Sequence, residues 1–206
     1  HAPLSRSVAL RRVLADAAGD AVVVAEVLGV VPEYVPGALA ELGIPGFSIP
    51  MFLRHPGGGY HHPDSYPPLS VATPGTHDHP PLAAAWAEWW RAVKSDPEGE
   101  AGCRARREME ALMEFAALGG QEMPRGFNAA LHEGILRATM YSRSWLALFM
   151  LTDVFGLDGR FNVPGVSGGA NWTYRMPCRV EEFEQIRAFA EKGEVFARLI
   201  RETGRG

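Results

Sequence analysis

Short apolar runs rich in β-branched residues alternate along this chain with stretches of helical period. That alternation restricts the fold more than any other feature. Runs at 21–25, 46–53, 69–73 and 145–151 read as strands. They are nearly continuous in hydrophobicity, as strands covered on both faces are, with none of the strict alternation of a half-exposed sheet. The segment 46–53 reads as a strand despite Pro50. Residues 32–42 have a proline near the start and Gly43 just past the end, the punctuation of a helix. At 5–17, Val8, Leu10, Val13 and Leu14 fall at helical spacing, with Gly19 as a C-cap candidate. Three further helical stretches, 82–94, 101–118 and 126–142, separate the third strand from the fourth, and an amphipathic stretch at 180–203 closes the chain. Residues 54–68 and 159–177 are rich in glycine and proline and read as loops. Strands alternating with helices predict parallel βαβ units in an α/β fold. There are about four such units, half of what a closed eight-stranded barrel needs.

Composition excludes several functions. The chain has 206 residues, 47% hydrophobic and 21% charged, which suits one globular domain or a piece of a larger one. The net charge of -4 gives no electrostatic footprint for nucleic acid or an anionic membrane surface. The densest basic run, Arg104 to Arg107, is interleaved with Glu100, Glu108 and Glu110 and reads as a solvated helix face. No apolar stretch reaches the roughly 18 residues of a membrane span. Two cysteines, Cys103 and Cys178, cannot build a disulfide framework, so free thiols in a reducing, cytoplasmic compartment are expected. The first residue is His1, which raises the expectation of an internal fragment.

Two strand-like runs lead to carboxylates. Val22-Val23-Val24-Ala25 ends on Glu26, and the run at 69–73 leads to Thr76-His77-Asp78. The C-terminal ends of parallel strands are where barrel and open-sheet enzymes place their chemistry. Two carboxylates in unlike surroundings, one in an apolar run and one beside a histidine, suit the splitting of a glycosidic bond. Glu26 would need to hold a proton, which an apolar surround favours, and Asp78 would need to stay ionised, which a neighbouring histidine donor favours.

Plainer readings exist for each residue. Glu26 also fits a structural ion pair at a strand end, and His77-Asp78-His79 a polar surface turn. With His55, His61 and His62 the H-x-H pattern also fits a metal site, but the spacing is long and no metal or cofactor is expected. Trp86, Trp89 and Trp90 fit either a sugar-stacking platform or, at helical spacing, core and interface positions. Gly57-Gly58-Gly59 lacks the lysine of a phosphate loop.

Four blocks in order resemble the 4-alpha-glucanotransferases (amylomaltase, or disproportionating enzyme) of the α-amylase superfamily. Val24-Ala25-Glu26-Val27-Leu28-Gly29 resembles the family's A-E-D-L-G, and Leu42-Gly43-Ile44-Pro45-Gly46-Phe47 its G-I-P-G-M turn. Gly75-Thr76-His77-Asp78-His79 is similar to G-T-H-D-N. Arg160-Phe161-Asn162-Val163-Pro164-Gly165, with Asn171-Trp172 and Arg175, resembles R-M-N-x-P-G…N-W…R, and Asp153-Val154-Phe155-Gly156 the D-L-L-G before it. The resemblance implies the C-terminal half of a (β/α)8 TIM-type barrel, residues 1–206 forming a partial catalytic domain with a helical insertion near 82–142. It implies Glu26 as general acid/base and Asp78 as stabiliser of the distorted sugar. His77, Asn162, Asn171 and Trp172 would contact substrate, and maltooligosaccharides and α-glucans would be the partners.

Two departures from the family pattern lie beside these residues: Val27 stands where the family has an acid, and His79 where it has asparagine. A third is larger. The family's nucleophilic aspartate lies in an R-x-D-H block on the fourth barrel strand, and no such block occurs in this sequence. The chain is therefore expected to be inactive alone and to self-associate through exposed half-barrel edges. The alternatives are a non-catalytic glucan-binding or degenerate homologue, and a hydrolase of the same superfamily.

Overall fold

Three short parallel strands lie side by side in chain order: β1 (Gly46–Ser48), β2 (Ser70–Ala72) and β3 (Leu146–Ala147). β1 and β2 pair with Phe47 opposite Val71, and β2 and β3 with Ala72 opposite Ala147. Ala25 adds a parallel bridge to Gly46 at the free edge of β1. There the Ala25 N–H donates to the Pro45 carbonyl at 2.8 Å and the Phe47 N–H to the Ala25 carbonyl at 3.3 Å. The computed structural model describes residues 9, 12–14, 16–27 and 31–205. Three of the four expected runs therefore form the parallel sheet, each shorter than the apolar run that signals it, and the first adds only a single bridge at Ala25.

The shortening has identifiable causes. Pro50 has no N–H to give a ladder, so the run after Ser48 coils into a 3-10 turn at Pro50–Phe52. The run 145–151 is divided: Leu151 opens a short helix, α5 (Leu151–Phe155), ending on Gly156 at φ 65°. The expected helix at 5–17 is helical at its described residues 9, 12–14, 16 and 17, the rest lying outside the described residues.

The longer helices fall where the periodicity places them, within a few residues. α1 (Tyr34–Glu41) follows Pro32 and is closed by Gly43 at φ 66°. α2 (Leu82–Ser95) and α3 (Glu100–Phe115) form an antiparallel hairpin. A Cβ on Gly102 would lie 1.8 Å from the Asp96 carbonyl oxygen, so glycine permits the close turn between them. α4 (Ala129–Tyr141) starts at Asn128, whose side-chain oxygen accepts the Leu131 N–H at 2.9 Å. The expected closing helix at 180–203 starts late. A 3-10 turn at Val180–Glu182 precedes α6 (Arg187–Thr203), and the break lets Phe183, Phe189 and Phe155 meet with ring centroids 4.8 Å apart.

The main core lies among α2, α3 and α4, where Trp86, Met109, Leu112, Leu131 and Ile135 pack with Ala72 of β2. Burying side chains of this size contributes about 1.5–3 kcal/mol each. Trp86 is wholly buried and Trp89 and Trp90 are half-buried beside it, so most of the tryptophan run serves the core. A second cluster, Val35, Leu39 and Ile44, joins α1 to the edge of the sheet, with Val27 packed against it. A third, Leu136, Met140 and Leu199, holds α6 onto α4. Among the described residues no helix is long and apolar enough to cross a membrane.

Candidate active site

Because the sheet is parallel, its strands all point their C-terminal ends the same way, and the chemistry-bearing residues follow those ends. Glu26 is next after the bridge residue Ala25, Asp78 follows β2 by a short turn, and Asn162 follows β3 through α5. The turn after β2 is closed by its own side chains. The Thr76 N–H and hydroxyl both reach His79 Nδ1, at 3.1 and 3.0 Å, and the Asp78 N–H donates to the Thr76 hydroxyl at 3.3 Å. This turn presents His77 and Asp78 outward.

Asp78 is the hub. Its Oδ1 accepts from the side-chain amide of Asn162 at 2.6 Å and lies 3.3 Å from His77 Nε2. Arg160 ties the same two segments through the main chain, donating to the Asp78 carbonyl at 2.8 Å and to the Asn162 carbonyl at 2.7 Å. The Trp172 ring lies against His77, centroids 5.1 Å apart, and is 60% exposed. Its φ of 63° is unusual for a bulky residue, a conformation that costs on the order of 1 kcal/mol or more and persists only where its surroundings impose it. Here the Trp172 N–H is held by the Phe161 carbonyl at 2.7 Å.

Asn171 works differently. Its amide donates to the carbonyls of Val163 and Val166 at 3.1 and 2.9 Å, and its oxygen accepts the Val163 N–H at 3.0 Å. Both of its donors are used within the loop, so it shapes the segment that presents Trp172.

Glu26 is exposed and makes no side-chain hydrogen bond among the described residues. Of the apolar surround expected from residues 22–25, Val22, at 64% exposed, and Val24 are open to solvent, while Val23 and Ala25 pack against Val35, Leu39 and Ile44. Glu26 still belongs to the same neighbourhood, because its charge acts on His79. Burial pushes the His79 imidazole below the ordinary range, helped by Arg160 and His77 and opposed by Asp78 and Glu26. His79 is thus neutral, with Nδ1 accepting from Thr76 and its ring edge on Phe52, centroids 5.4 Å apart. The Val27 position, acidic in the resembling family, is apolar in its surroundings here: a Cβ added to Gly46 would lie 3.1 Å from the Val27 methyl.

Arg160 and Phe52 are not among the candidate site residues from sequence, and His79, there only a departure from the family pattern and a conceivable metal ligand, instead closes the turn. Arg160 had a signal, since the Arg-x-Asn spacing lets one main-chain loop serve both side chains. Phe52 had none, being one more residue of an apolar run. The His55 and His61 rings pack tilted at 36° with centroids 4.4 Å apart, and among the described residues no three His, Cys, Asp or Glu side chains are grouped to hold a metal ion.

A family profile described as 4-alpha-glucanotransferase matches residues 5–181. The 4-alpha-glucanotransferase of Chlamydia muridarum (strain MoPn / Nigg) is 29% identical over 189 residues, which are 86% of this chain and 32% of the relative. The chloroplastic/amyloplastic 4-alpha-glucanotransferase of Solanum tuberosum is 25% identical over 179 residues, 85% of this chain and 27% of the relative. Among solved structures, amylomaltase from Corynebacterium glutamicum superposes with a TM-score of 0.66 at 25% identity, covering 85% of this chain and 29% of that one. Amylomaltase from Streptococcus agalactiae in complex with acarbose shares the fold at a TM-score of 0.61 and 23% identity, covering 93% of this chain and 33% of that one. The chain spans about a third of the length of the relatives it matches.

Proposed function

This chain belongs to the 4-alpha-glucanotransferase family, and from that premise we propose that it carries the acid/base and sugar-distorting side of a retaining glucan-transfer site. The observation that supports this most is the Asp78 carboxylate, fixed at 2.6 Å by Asn162 beside His77, whose ring lies against the exposed Trp172. A carboxylate so held stays in place as positive charge develops at an anomeric carbon, and an exposed indole offers a flat apolar face to a sugar ring. The substrate class is an α-1,4-glucan, and in this reading the three parallel strands and the bridge at Ala25 belong to one half of an eight-stranded barrel.

In this reading the donor step breaks the bond between C1 and the glycosidic oxygen. A nucleophilic carboxylate bonds to C1, and Glu26 gives its proton to the departing oxygen. In the second step a sugar hydroxyl gives its proton to Glu26 and bonds to C1, displacing the carboxylate. Retention needs the two carboxyl groups roughly 5–5.5 Å apart. Glu26 is one of them, and the sequence holds no Arg-x-Asp-His block to supply the other. The chain alone therefore binds glucan and does not turn it over.

Two measurements test this together. Calorimetric titration with maltotriose is expected to show binding, weakened by about 1.5–3 kcal/mol in Asp78→Ala through loss of charged hydrogen bonds. Incubation of the purified chain with maltotriose is expected to give neither glucose nor longer oligosaccharides. Binding that is absent, or indifferent to Asp78, would remove the site. Transfer products would overturn the inactivity.

A further inference from the structure

Asp153 is a carboxylate that the proposed chemistry leaves idle. It sits in α5, 4% exposed, and its Oδ1 accepts the N–H of Leu82, the first residue of α2, at 2.8 Å. The position before α2 is Pro81, which has no side chain able to cap it, so the cap comes from Asp153, 71 residues away in sequence. The Asp153 carbonyl is also engaged, at 2.6 Å from His132 Nε2, while His132 Nδ1 lies 2.7 Å from Lys192 Nζ. A carbonyl only accepts and an ammonium only donates, so His132 is the neutral tautomer with its proton on Nε2. That agrees with the burial that pushes its imidazole down. Asp153 thus joins α5 to α2 through its side chain, and to α4 and, by way of Lys192, to α6 through its main chain.

The two ends of the Leu82 bond are the bases of the two halves of the site. α2 begins directly after the turn bearing His77 and Asp78, and α5 runs on into Arg160 and Asn162. We propose that Asp153 is a positioning residue: by capping α2 from α5, it sets the register in which Asp78 meets Asn162. The proposal rests on Asp78 belonging to the glucan site described above.

The chemistry of the group fits such a role. Burial pushes the Asp153 carboxyl up to about 6, against the pull of its bond to Leu82. A carboxyl raised in the fold stabilises the fold below its unfolded value, and that contribution is lost as pH rises through about 6. At neutral pH the chain thus holds a buried charge at a cost in stability, the pattern of residues kept for geometry rather than for stability. The ionisable groups beside this residue, the neutral His132 of α4 and behind that ring Lys192 of α6, lie at its main-chain carbonyl. Among the described residues the carboxyl itself meets only the Leu82 N–H. The first turn of α2 carries no acidic residue.

The test is nuclear magnetic resonance of the full chain, following the side-chain amide of Asn162 as reporter of its bond to Asp78, with maltotriose affinity measured alongside. Asp153→Ala is expected to move that amide toward the position of a solvated asparagine and to weaken maltotriose about fivefold, the worth of one N-cap. Asp153→Asn keeps an oxygen for the Leu82 N–H and is expected to match the wild type in both. Leu82→Pro deletes the donor at a helix position that tolerates proline, so it gives the same reading as Asp153→Ala if that variant does not fold. An Asn162 amide unmoved in folded Asp153→Ala or Leu82→Pro overturns the proposal, as does Asp153→Asn disturbing it as much as alanine. If the wild-type chain binds no maltotriose, the glucan reading fails, and the Asn162 resonance alone decides on Asp153.

Discussion

His79 shows how one side chain can make the site's shape depend on pH. Its Nδ1 is the acceptor that closes the 76–79 turn, receiving both the N–H and the hydroxyl of Thr76. A proton on Nδ1 would turn that acceptor into a donor and cost the bond from the Thr76 N–H, while the Thr76 hydroxyl could turn to accept. Burial, Arg160 and His77 push the imidazole below its ordinary value, so the folded chain favours the neutral ring. The sign follows from linkage: the contribution is fully present above the unfolded value of about 6.5 and lost as pH falls through the lower folded value. Hydrogen exchange of the Thr76 amide should therefore be protected at neutral pH and lose protection on acidification. In His79→Asn, which restores the residue of the resembling family, the side-chain oxygen sits where Nδ1 does and does not titrate. Thr76 protection should then stay flat through the same range. If the acid-induced loss survives the substitution, another group drives it, and Asp78 with its neighbour His77 becomes the place to look.

At the level of elements, the α2–α3 hairpin holds most of the core and depends on glycine at one point. Gly102 lies in the first turns of α3, where a Cβ would sit 1.8 Å from the Asp96 carbonyl oxygen. Alanine ordinarily stabilises a helix by roughly 0.5–1 kcal/mol over glycine. At Gly102 the sign should reverse, because the backbone of Asp96 must shift, and overpacking of this kind costs about 1–3 kcal/mol. Gly193 in α6 has nothing within 4 Å of an added Cβ and is the control. Urea denaturation should show Gly102→Ala destabilised and Gly193→Ala unchanged or more stable; equal effects would mean the hairpin turn relaxes freely. These helices were legible in the sequence because thirteen or more residues repeat one period. The strands were legible only as apolar runs, and a run cannot say where a strand yields to a helix, as at 145–151. The same contrast holds in the site. The Thr76-His77-Asp78 and Arg160-Phe161-Asn162 blocks are local and readable, whereas Asp153 caps a helix far away in sequence, and no local pattern encodes that contact. The apolar surround expected for Glu26 is incomplete for a related reason, since Val22 and Val24 stay exposed where no other element covers them.

On the scale of the whole molecule, the sheet formed by the described residues ends at Ala25 on one side and at β3 on the other. The bridge at Ala25 ends one side, and on the other β3 carries exposed Leu146, with Trp145 and Leu148 exposed beside it. Between α1 and the sheet lies a groove of about 610 Å³ lined by Val27, Leu39, Ile44, Phe47 and Leu69 among others. Open parallel edges and contiguous apolar surface favour pairing with another chain, because each unpaired N–H and carbonyl finds a partner there and the leucines leave water. We therefore expect the chain to self-associate through the β3 edge. Sedimentation velocity from micromolar to submillimolar concentration should show a weight-average coefficient that rises with concentration. Leu148→Lys puts a charge on that edge without touching the core and should hold the chain as a monomer over the same range. A wild-type chain that sediments as a monomer throughout would mean that the exposed edge is self-sufficient. Association that survives Leu148→Lys would move the contact to the groove beneath α1, where Phe47→Lys is the next substitution to make.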